Sequence, residues 1–148
     1  MNRFRDTVTI RVPLPPDQAM QLFTARGERD WVDGWDPEFP AGEPAEEGEG
    51  TVFVTTAEGR STYWVVVARA SRCVRYARTT PGFFAGTVEV RERSSDSRST
   101  LVDVTYDLSA LTRQGAAELD AFAAGYQQEI GAWALAIESA LADDGAAS

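Results

Sequence analysis

The sequence has 148 residues, of which 43% are hydrophobic and 25% charged, and it carries a formal net charge of −9 with an isoelectric point near 4.5. This size suits one domain over residues 1–148, and the acidic balance disfavours nucleic acid as a partner. The chain contains one cysteine, no histidine and no lysine, which excludes Ser-His-Asp and Cys-His catalysis, Schiff-base chemistry, an intrachain disulfide and the usual zinc sites, so we expect no metal and no cofactor.

No stretch is apolar for long enough to cross a bilayer, and charged residues interrupt the apolar pattern at the N-terminus. We therefore expect a cytoplasmic protein without membrane insertion.

Four carboxylates lie among glycine and proline in residues 43–49, which is typical of a solvated loop and matches no EF-hand calcium pattern. Cys73 follows a turn and precedes Val74 in a strand-like run, which favours a small buried side chain over a reactive thiol.

The N-terminal part predicts one strand followed by two short helices. Residues 7–12 alternate between polar and apolar types, which indicates a strand with its valines and isoleucine facing inward. Pro16 suits the first turn of a helix over residues 17–23. A second short helix is predicted over residues 25–32, and Pro37 then favours extended chain.

The middle of the chain predicts an antiparallel meander, because the turns between its apolar runs are too short for parallel crossovers. With the first strand, these runs make a sheet of about six or seven strands. Residues 63–67 are apolar on both faces, so they should lie in a central strand or have one face covered, and their orientation is left open. The predicted strands are residues 51–56, 61–70, 73–79, 84–93 and 99–108.

The C-terminal segment over residues 113–142 predicts one long helix with a continuous apolar stripe. At ~1.5 Å per residue the helix is about 42 Å long, which exceeds the roughly 38 Å expected for the domain diameter. The sheet must therefore curve around it, which gives an α+β fold. The stripe consists of Leu119, Phe122, Tyr126, Ile130, Trp133, Ile137 and Leu141.

This order of elements resembles the START/SRPBCC superfamily, whose helix-grip fold wraps a curved antiparallel sheet around a long C-terminal helix. The resemblance rests on residues 8–12 leading into PPDQAMQLF at 15–23, on the hairpin GTVEV at 86–90 with TLVDVTY at 100–106, and on the final helix. ERDWVDGWDP at 28–37 is similar to uncharacterised bacterial members of the polyketide cyclase/dehydrase-like group. The resemblance implies a cavity between sheet and helix that takes lipids, polyketides or quinones.

The aromatic content and two helix glycines are consistent with such a cavity. Large rings leave irregular gaps unless small residues fill them, and Gly125 and Gly131 each cost the helix about 1 kcal/mol relative to alanine. The alternative is a solid core in which the glycines allow close packing. The candidate ligand-binding residues are Trp31, Trp35, Phe39, Trp64, Tyr76, Arg78, Phe84, Tyr106, Phe122, Tyr126 and Trp133.

Each group of candidates also has a purely structural interpretation. The tyrosine hydroxyls on inner faces need partners, which the backbone or a ligand could supply. Arg78 either anchors a ligand or extends to solvent at a strand end. Residues 31–39 form either the rim of the cavity or a hydrophobic plug, and residues 79–84 form either a second rim or a plain turn.

Three functions remain open on the sequence. The leading hypothesis is a carrier or sensor that binds a small hydrophobic or amphipathic molecule. The second is a cyclase/dehydrase- or hydrolase-type enzyme using Asp, Glu, Tyr or Arg, which would require a carboxylate of raised pKa in the cavity; Glu89 and Asp103 should face outward. The third is a protein–protein adaptor resembling activators of a chaperone ATPase, which would use residues 43–49 or a strand edge. A homodimer is possible, but no pattern supports it.

Overall fold

The computed structural model describes the backbone of residues 1–147 and the side chains of residues 1–143. It has the predicted helix-grip fold, in which a six-stranded curved sheet holds a long C-terminal helix. No helix in the described part of the chain is long and apolar enough to span a membrane. The elements are β1 (Arg3–Val12), α1 (Pro16–Gln21), a 3-10 turn (Gly27–Asp30), β2 (Val52–Ala57), β3 (Arg60–Ala70), β4 (Cys73–Thr80), β5 (Phe84–Ser95), β6 (Thr100–Ala110) and α2 (Arg113–Ala147).

All neighbouring strands are antiparallel, and the sheet order is β1-β6-β5-β4-β3-β2. The meander from β2 to β6 is as predicted, and β1 pairs with β6 to complete the sheet. An ideal Cβ at Gly86 would lie 1.9 Å from the backbone oxygen of Asp107, so only glycine permits this approach of β5 to β6. Register shifts in β3 and β5 add local twist.

Two N-terminal predictions need correction. The first strand begins at Arg3 rather than Thr7, because its pairing with β6 continues to Ser109 and buries Phe4 against α2. The helix predicted over residues 25–32 is only a 3-10 turn. The segment before it is folded too tightly for an α-helix, since Thr24 donates its hydroxyl to the Gln21 carbonyl and accepts the N–H of Gly27.

The orientation of β3, left open by the sequence, is decided by its neighbours. Trp64 and Val66 face the concave side and are buried, whereas Tyr63 and Val67 are 48% and 44% exposed on the convex side. Although β3 lies between β2 and β4, nothing covers its outer face within the described residues. Of the two alternatives predicted from the sequence, β3 is an internal strand of the sheet, and its convex face is not covered.

Helix α2 lies mainly against β1 and β6. Its predicted stripe faces the sheet, with Leu119, Tyr126, Ile130 and Ile137 fully buried. The concave face of β2, β3 and β4 is less covered by the helix, and the segment after the 3-10 turn packs there instead. This arrangement places the functional candidates between that half of the sheet and one side of α2.

Candidate functional site

The aromatic candidates form two groups inside the grip. The first, here called the sheet cluster, lies on β2, β3 and β4, where Phe53 stacks on Trp64 at 5.6 Å and Tyr76 meets both edge-on. The second, the helix cluster, joins Tyr106 to rings of α2. In both clusters, the centroids of neighbouring rings lie at the distances usual for aromatic pairs in contact, so each cluster is well packed. The helix cluster comprises Phe4, Tyr106, Phe122, Tyr126 and Trp133.

Two tryptophans connect these clusters to the chain after α1. The Trp31 indole donates to the Leu22 carbonyl over 2.8 Å, and its ring lies 5.4 Å from that of Trp133. The Trp35 indole donates to the Ala25 carbonyl over 2.7 Å, and its ring lies 5.9 Å from that of Trp64. Both indoles are therefore anchored by backbone acceptors. This geometry agrees with the plug interpretation of residues 31–39, which close one end of the space between sheet and helix.

Phe39 and Phe84 lie at the periphery of the predicted set. Phe39 packs on Phe53 at 5.9 Å at the outer side of the sheet cluster, next to the short bridge between Glu38 and Val54. Phe84 is half-buried at the start of β5. Of the two, only Phe84 lies near Arg78, whose guanidinium is the polar centre of the site.

The three inner tyrosines differ in how their hydroxyls are satisfied. Tyr76 donates to the Phe23 carbonyl over 2.7 Å, and Tyr126 donates to the Val104 carbonyl over 2.8 Å. Burial raises the pKa of both phenols. Within residues 1–143 the Tyr106 hydroxyl reaches no backbone acceptor, although burial raises its pKa to about 12. Tyr76 and Tyr126 are thus occupied by structural bonds, and Tyr106 is the inner tyrosine left to face Arg78.

Arg78 extends from β4 onto the concave face between the two clusters, where it pairs in register with Trp64 and Gly86. Its guanidinium carbon lies 4.7 Å from the Trp64 ring centroid and 5.6 Å from that of Phe84. One terminal nitrogen donates to the Thr80 hydroxyl over 3.3 Å, while Nε finds no hydrogen-bond partner among the described side chains. The inward position is the less common of the two outcomes that the sequence left open for this residue.

Few groups near Arg78 offset the cost of burying its positive charge. Burial lowers the pKa of its guanidinium, and the Tyr106 hydroxyl and the Glu129 carboxylate act in the opposite direction. Within residues 1–143 no carboxylate oxygen lies within 4.0 Å of it. Because an arginine keeps its charge in any protein environment, the site holds a cation without a salt-bridge partner.

Glu28 is an inner carboxyl that the sequence analysis did not identify as functional. Burial raises its pKa well above the ordinary value, and the charge of Glu47 adds to that effect. The Glu28 charge in turn raises the pKa of Tyr76 and Tyr106, which indicates that the carboxyl lies toward the interior. Nothing in the local sequence distinguishes Glu28 from its acidic neighbours, because only the tight turn directs it inward.

Glu47 corrects the prediction of a fully solvated acidic loop. Its carboxylate is buried, accepts the backbone N–H groups of Ala25 and Arg26 at 2.8 and 3.1 Å, and lies 3.7 Å from the Arg26 Nε. These bonds satisfy orphan amides at the start of the 3-10 turn. Glu89 and Asp103 lie on the convex side as expected, where they bond to Arg91 and Thr9.

The side of α2 that carries Gly125 is open. An ideal Cβ at Gly125 or Gly131 would meet no atom within 4 Å, so neither glycine is explained by close approach of the sheet. Gly131 is exposed to solvent, whereas Gly125 is half-buried and precedes Glu129 by one helical turn. Glu129, whose charge acts on Arg78, lies on the same face of α2 as Gly125.

The loop of residues 79–84 is fastened to the helix. The Arg60 guanidinium lies 3.8 Å above the Phe83 ring and bonds to the Glu118 carboxylate at 3.0 Å. An added Cβ at Gly115 would lie 1.7 Å from the Phe83 carbonyl, so the helix begins directly on this loop. The loop is therefore more than a plain turn, because it connects the β2–β3 hairpin to the N-terminal end of α2.

Two open surface grooves lie elsewhere, next to α1. Their volumes are about 590 and 370 Å³, and Gln21 and Arg69 line both. None of the ligand-binding candidates predicted from the sequence lines either groove. Among the residues with described side chains, no group of three or more His, Cys, Asp or Glu is arranged to hold a metal ion.

The fold is shared with solved structures at low sequence identity. The aromatase/cyclase Zhui from Streptomyces sp. R1128 superposes with a TM-score of 0.67 at 16% identity, covering 93% of each chain. Ginseng major latex-like protein 151 from Panax ginseng gives 0.60 at 13%, covering 95% of this chain and 96% of its own. An HSP90 activator from Plasmodium falciparum gives 0.57 at 14%, covering 86% and 89%. The sequence matches no protein-family model and no curated protein significantly.

Proposed function

Because the chain has the helix-grip fold, we propose that it binds a small hydrophobic or amphipathic molecule between the sheet and α2, as a carrier or sensor. The apolar part of the ligand contacts the rings of the sheet and helix clusters. Its polar part meets Arg78 and Tyr106, where the clusters approach each other. Lipids, polyketides and quinones have this combination of a large apolar body and a few oxygens.

The unpartnered Nε of Arg78 is the observation that carries this proposal. A buried polar group without a partner costs roughly 1–3 kcal/mol, and more when it is charged. The same interior satisfies the hydroxyls of Tyr76 and Tyr126 with backbone carbonyls, and among the described side chains only Arg69 Nη1 shares with Arg78 Nε the lack of a partner for a buried atom. A ligand oxygen at Arg78 would supply the missing acceptor.

The ligand enters by the face of α2 that carries Gly125. This position lacks a side chain on the face that also carries Glu129, and the half-buried rings of Phe84, Phe122 and Trp133 are the ones free to move aside. Fully buried neighbours such as Tyr126 are held by hydrogen bonds and remain in place. The ring contacts therefore loosen only on this side when a ligand binds.

The neutral fluorescent probe N-phenyl-1-naphthylamine tests this proposal. We expect a rise in probe fluorescence and a one-to-one complex by native mass spectrometry. Gly125→Leu should weaken binding at least fivefold because the leucine occupies the entrance. Gly131→Leu adds the same side chain on the solvent side and should leave affinity within twofold. No binding by the wild type, or equal losses in the two variants, would contradict the proposal.

Glu28 favours a second candidate, an enzyme that transfers a proton to or from a bound carbonyl compound. A buried carboxyl of raised pKa whose charge acts on Tyr106 is suited to this role, because burial increases its proton affinity in the way that a general base requires. The ionised carboxylate would take a proton from a carbon next to the carbonyl, and Arg78 would stabilise the enolate oxygen.

Deuterium exchange tests this second candidate. The wild type should accelerate exchange of the α-protons of 2-tetralone in D₂O, followed by proton NMR. Glu28→Gln should abolish the acceleration and retain binding of the naphthylamine probe. Glu129→Gln removes an exposed carboxylate from α2 and should leave most of the exchange. Unchanged exchange in Glu28→Gln would eliminate Glu28 as the base.

No observation like those on Arg78 and Glu28 supports the adaptor hypothesis. Its predicted contact surface was residues 43–49 or a strand edge. In residues 43–49, Glu47 is buried and Glu43 bonds to Arg29 at 2.7 Å. A partner would have to compete with these intramolecular bonds. Cytoplasmic location and lack of affinity for nucleic acid stay predictions of the sequence.

A further inference from the structure

The polar end of the site offers donors and almost no acceptors. Arg78 supplies N–H groups along the edge of its guanidinium, and Tyr106 supplies a hydroxyl with no backbone acceptor among the described residues. A group that accepts several hydrogen bonds is the complement of this arrangement.

The surroundings of Arg78 leave the edge of its planar guanidinium group free to bind a ligand. The rings of Trp64 and Phe84 lie near the guanidinium at 4.7 and 5.6 Å from its central carbon. Because both rings contact the cation through their own π faces, they provide no oxygen or nitrogen acceptor, and the N–H bonds of the guanidinium remain for a ligand. The Nε–H is the unpartnered member of that edge. Two parallel N–H donors on one edge match the two oxygens of a carboxylate.

The charge balance of the site also favours an anion. Arg78 has no carboxylate within salt-bridge distance in the described part of the chain, and Glu129, which acts on it from α2, is exposed to solvent. The protein as a whole carries a net charge of −9. General electrostatics would therefore repel an acidic ligand, and any preference for one must arise locally at Arg78.

We propose that the molecule held between sheet and helix carries a carboxylate, which Arg78 binds through the edge of its guanidinium while Tyr106 donates a further hydrogen bond. This inference rests on the proposed function and names the chemical class of its ligand: an aromatic or long-chain acid. The carboxylate lies between the two ring clusters, and the apolar body extends toward the open face of α2 at Gly125. A neutral ligand of the same shape leaves the Arg78 charge without a counterion.

A matched pair of probes tests this inference at pH 7.5, where anthracene-2-carboxylic acid is ionised and anthracene-2-carboxamide is neutral with nearly the same shape. Fluorescence titration should give the acid at least a tenfold lower Kd than the amide, because hydrogen bonds between two charged partners are the stronger kind. In Arg78→Met the preference should disappear, with amide affinity within threefold of wild type. Arg75→Met is the matched control. It removes the same charge from the exposed side of the same strand and should keep the preference.

Each outcome has a defined meaning. Equal affinity for acid and amide in the wild type, or a preference that persists in folded Arg78→Met, overturns the inference and leaves the proposed function standing. If neither anthracene nor the naphthylamine probe binds to the wild type, the proposed function itself is overturned. If Arg78→Met does not fold, the wild-type comparison is combined with Arg78→Lys, which keeps the charge but loses the planar edge, and with Tyr106→Phe. Both should reduce the acid preference severalfold, and an unchanged preference in both counts against the inference.

Discussion

Replacing Tyr76 by phenylalanine separates structural tyrosines from a ligand-facing one. Tyr76 is 4% exposed, and its hydroxyl donates over 2.7 Å to the carbonyl of Phe23, which is itself 1% exposed. Within residues 1–147 no backbone N–H reaches that carbonyl, since it lies just beyond the end of α1. The substitution therefore removes one hydrogen bond and leaves a buried acceptor unpaired. That loss costs about 1–3 kcal/mol, and we expect Tyr76→Phe to lower Tm by about 2–12 °C for a chain of this size.

The measurement is thermal and urea unfolding followed by circular dichroism, with Tyr106→Phe as the control. Tyr106 is buried to a similar degree but has no backbone acceptor, so its substitution leaves no carbonyl unpaired and should lower Tm by less than Tyr76→Phe does. The urea m-value should be the same in all three proteins, because the surface exposed on unfolding does not change. A Tm for Tyr76→Phe within 1 °C of wild type, or an equal loss in Tyr106→Phe, would refute the assignment of the two hydroxyls.

Two further predictions concern stability. Gly125→Ala and Gly131→Ala should each stabilise the protein by about 1 kcal/mol, seen as a rise in Tm of about 2–4 °C, because an added Cβ meets no atom within 4 Å at either position; a decrease would mean that the helix face is not open. Burial raises the pKa of Glu28 above its unfolded value, so its contribution to stability is greatest at low pH and is lost as pH rises from about 4.5. Glu28→Gln should therefore raise Tm at pH 8 more than at pH 4, and an equal shift at both pH values would place Glu28 in solvent.

The candidate site was only partly predictable. Hydrophobic periodicity identified the aromatic residues of the interior, because a ring on the inner face of a strand or helix has few alternatives to burial. Periodicity could not say which hydroxyls are satisfied: Tyr76 and Tyr126 bond to carbonyls 53 and 22 residues away in sequence, and Tyr106 does not. The inward position of Arg78 depends on Trp64 and Phe84, which come from the neighbouring strands.

The burial of two acidic residues also could not be predicted from the sequence. Glu28 and Glu47 belong to polar stretches, and composition alone predicts that such stretches are solvated. Their burial follows from one tight turn, in which Glu47 accepts the N–H groups of Ala25 and Arg26 and Glu28 is directed inward. A carboxylate that satisfies orphan amides 22 and 21 residues away has no local signature, because the bonds exist only after the loop folds back onto the turn.

The amino-acid sequence by itself determined the elements and the class of the fold. Alternation with period two, short turns and a long amphipathic helix leave few arrangements other than a curved sheet around that helix, and they set the inner faces of β5, β6 and α2. Tertiary structure decided the register of β1, the exposed outer face of β3 and the polar centre of the site. Those features depend on pairing between residues distant in sequence, where the energy of a buried charge or hydroxyl is set by which neighbours the fold brings to it.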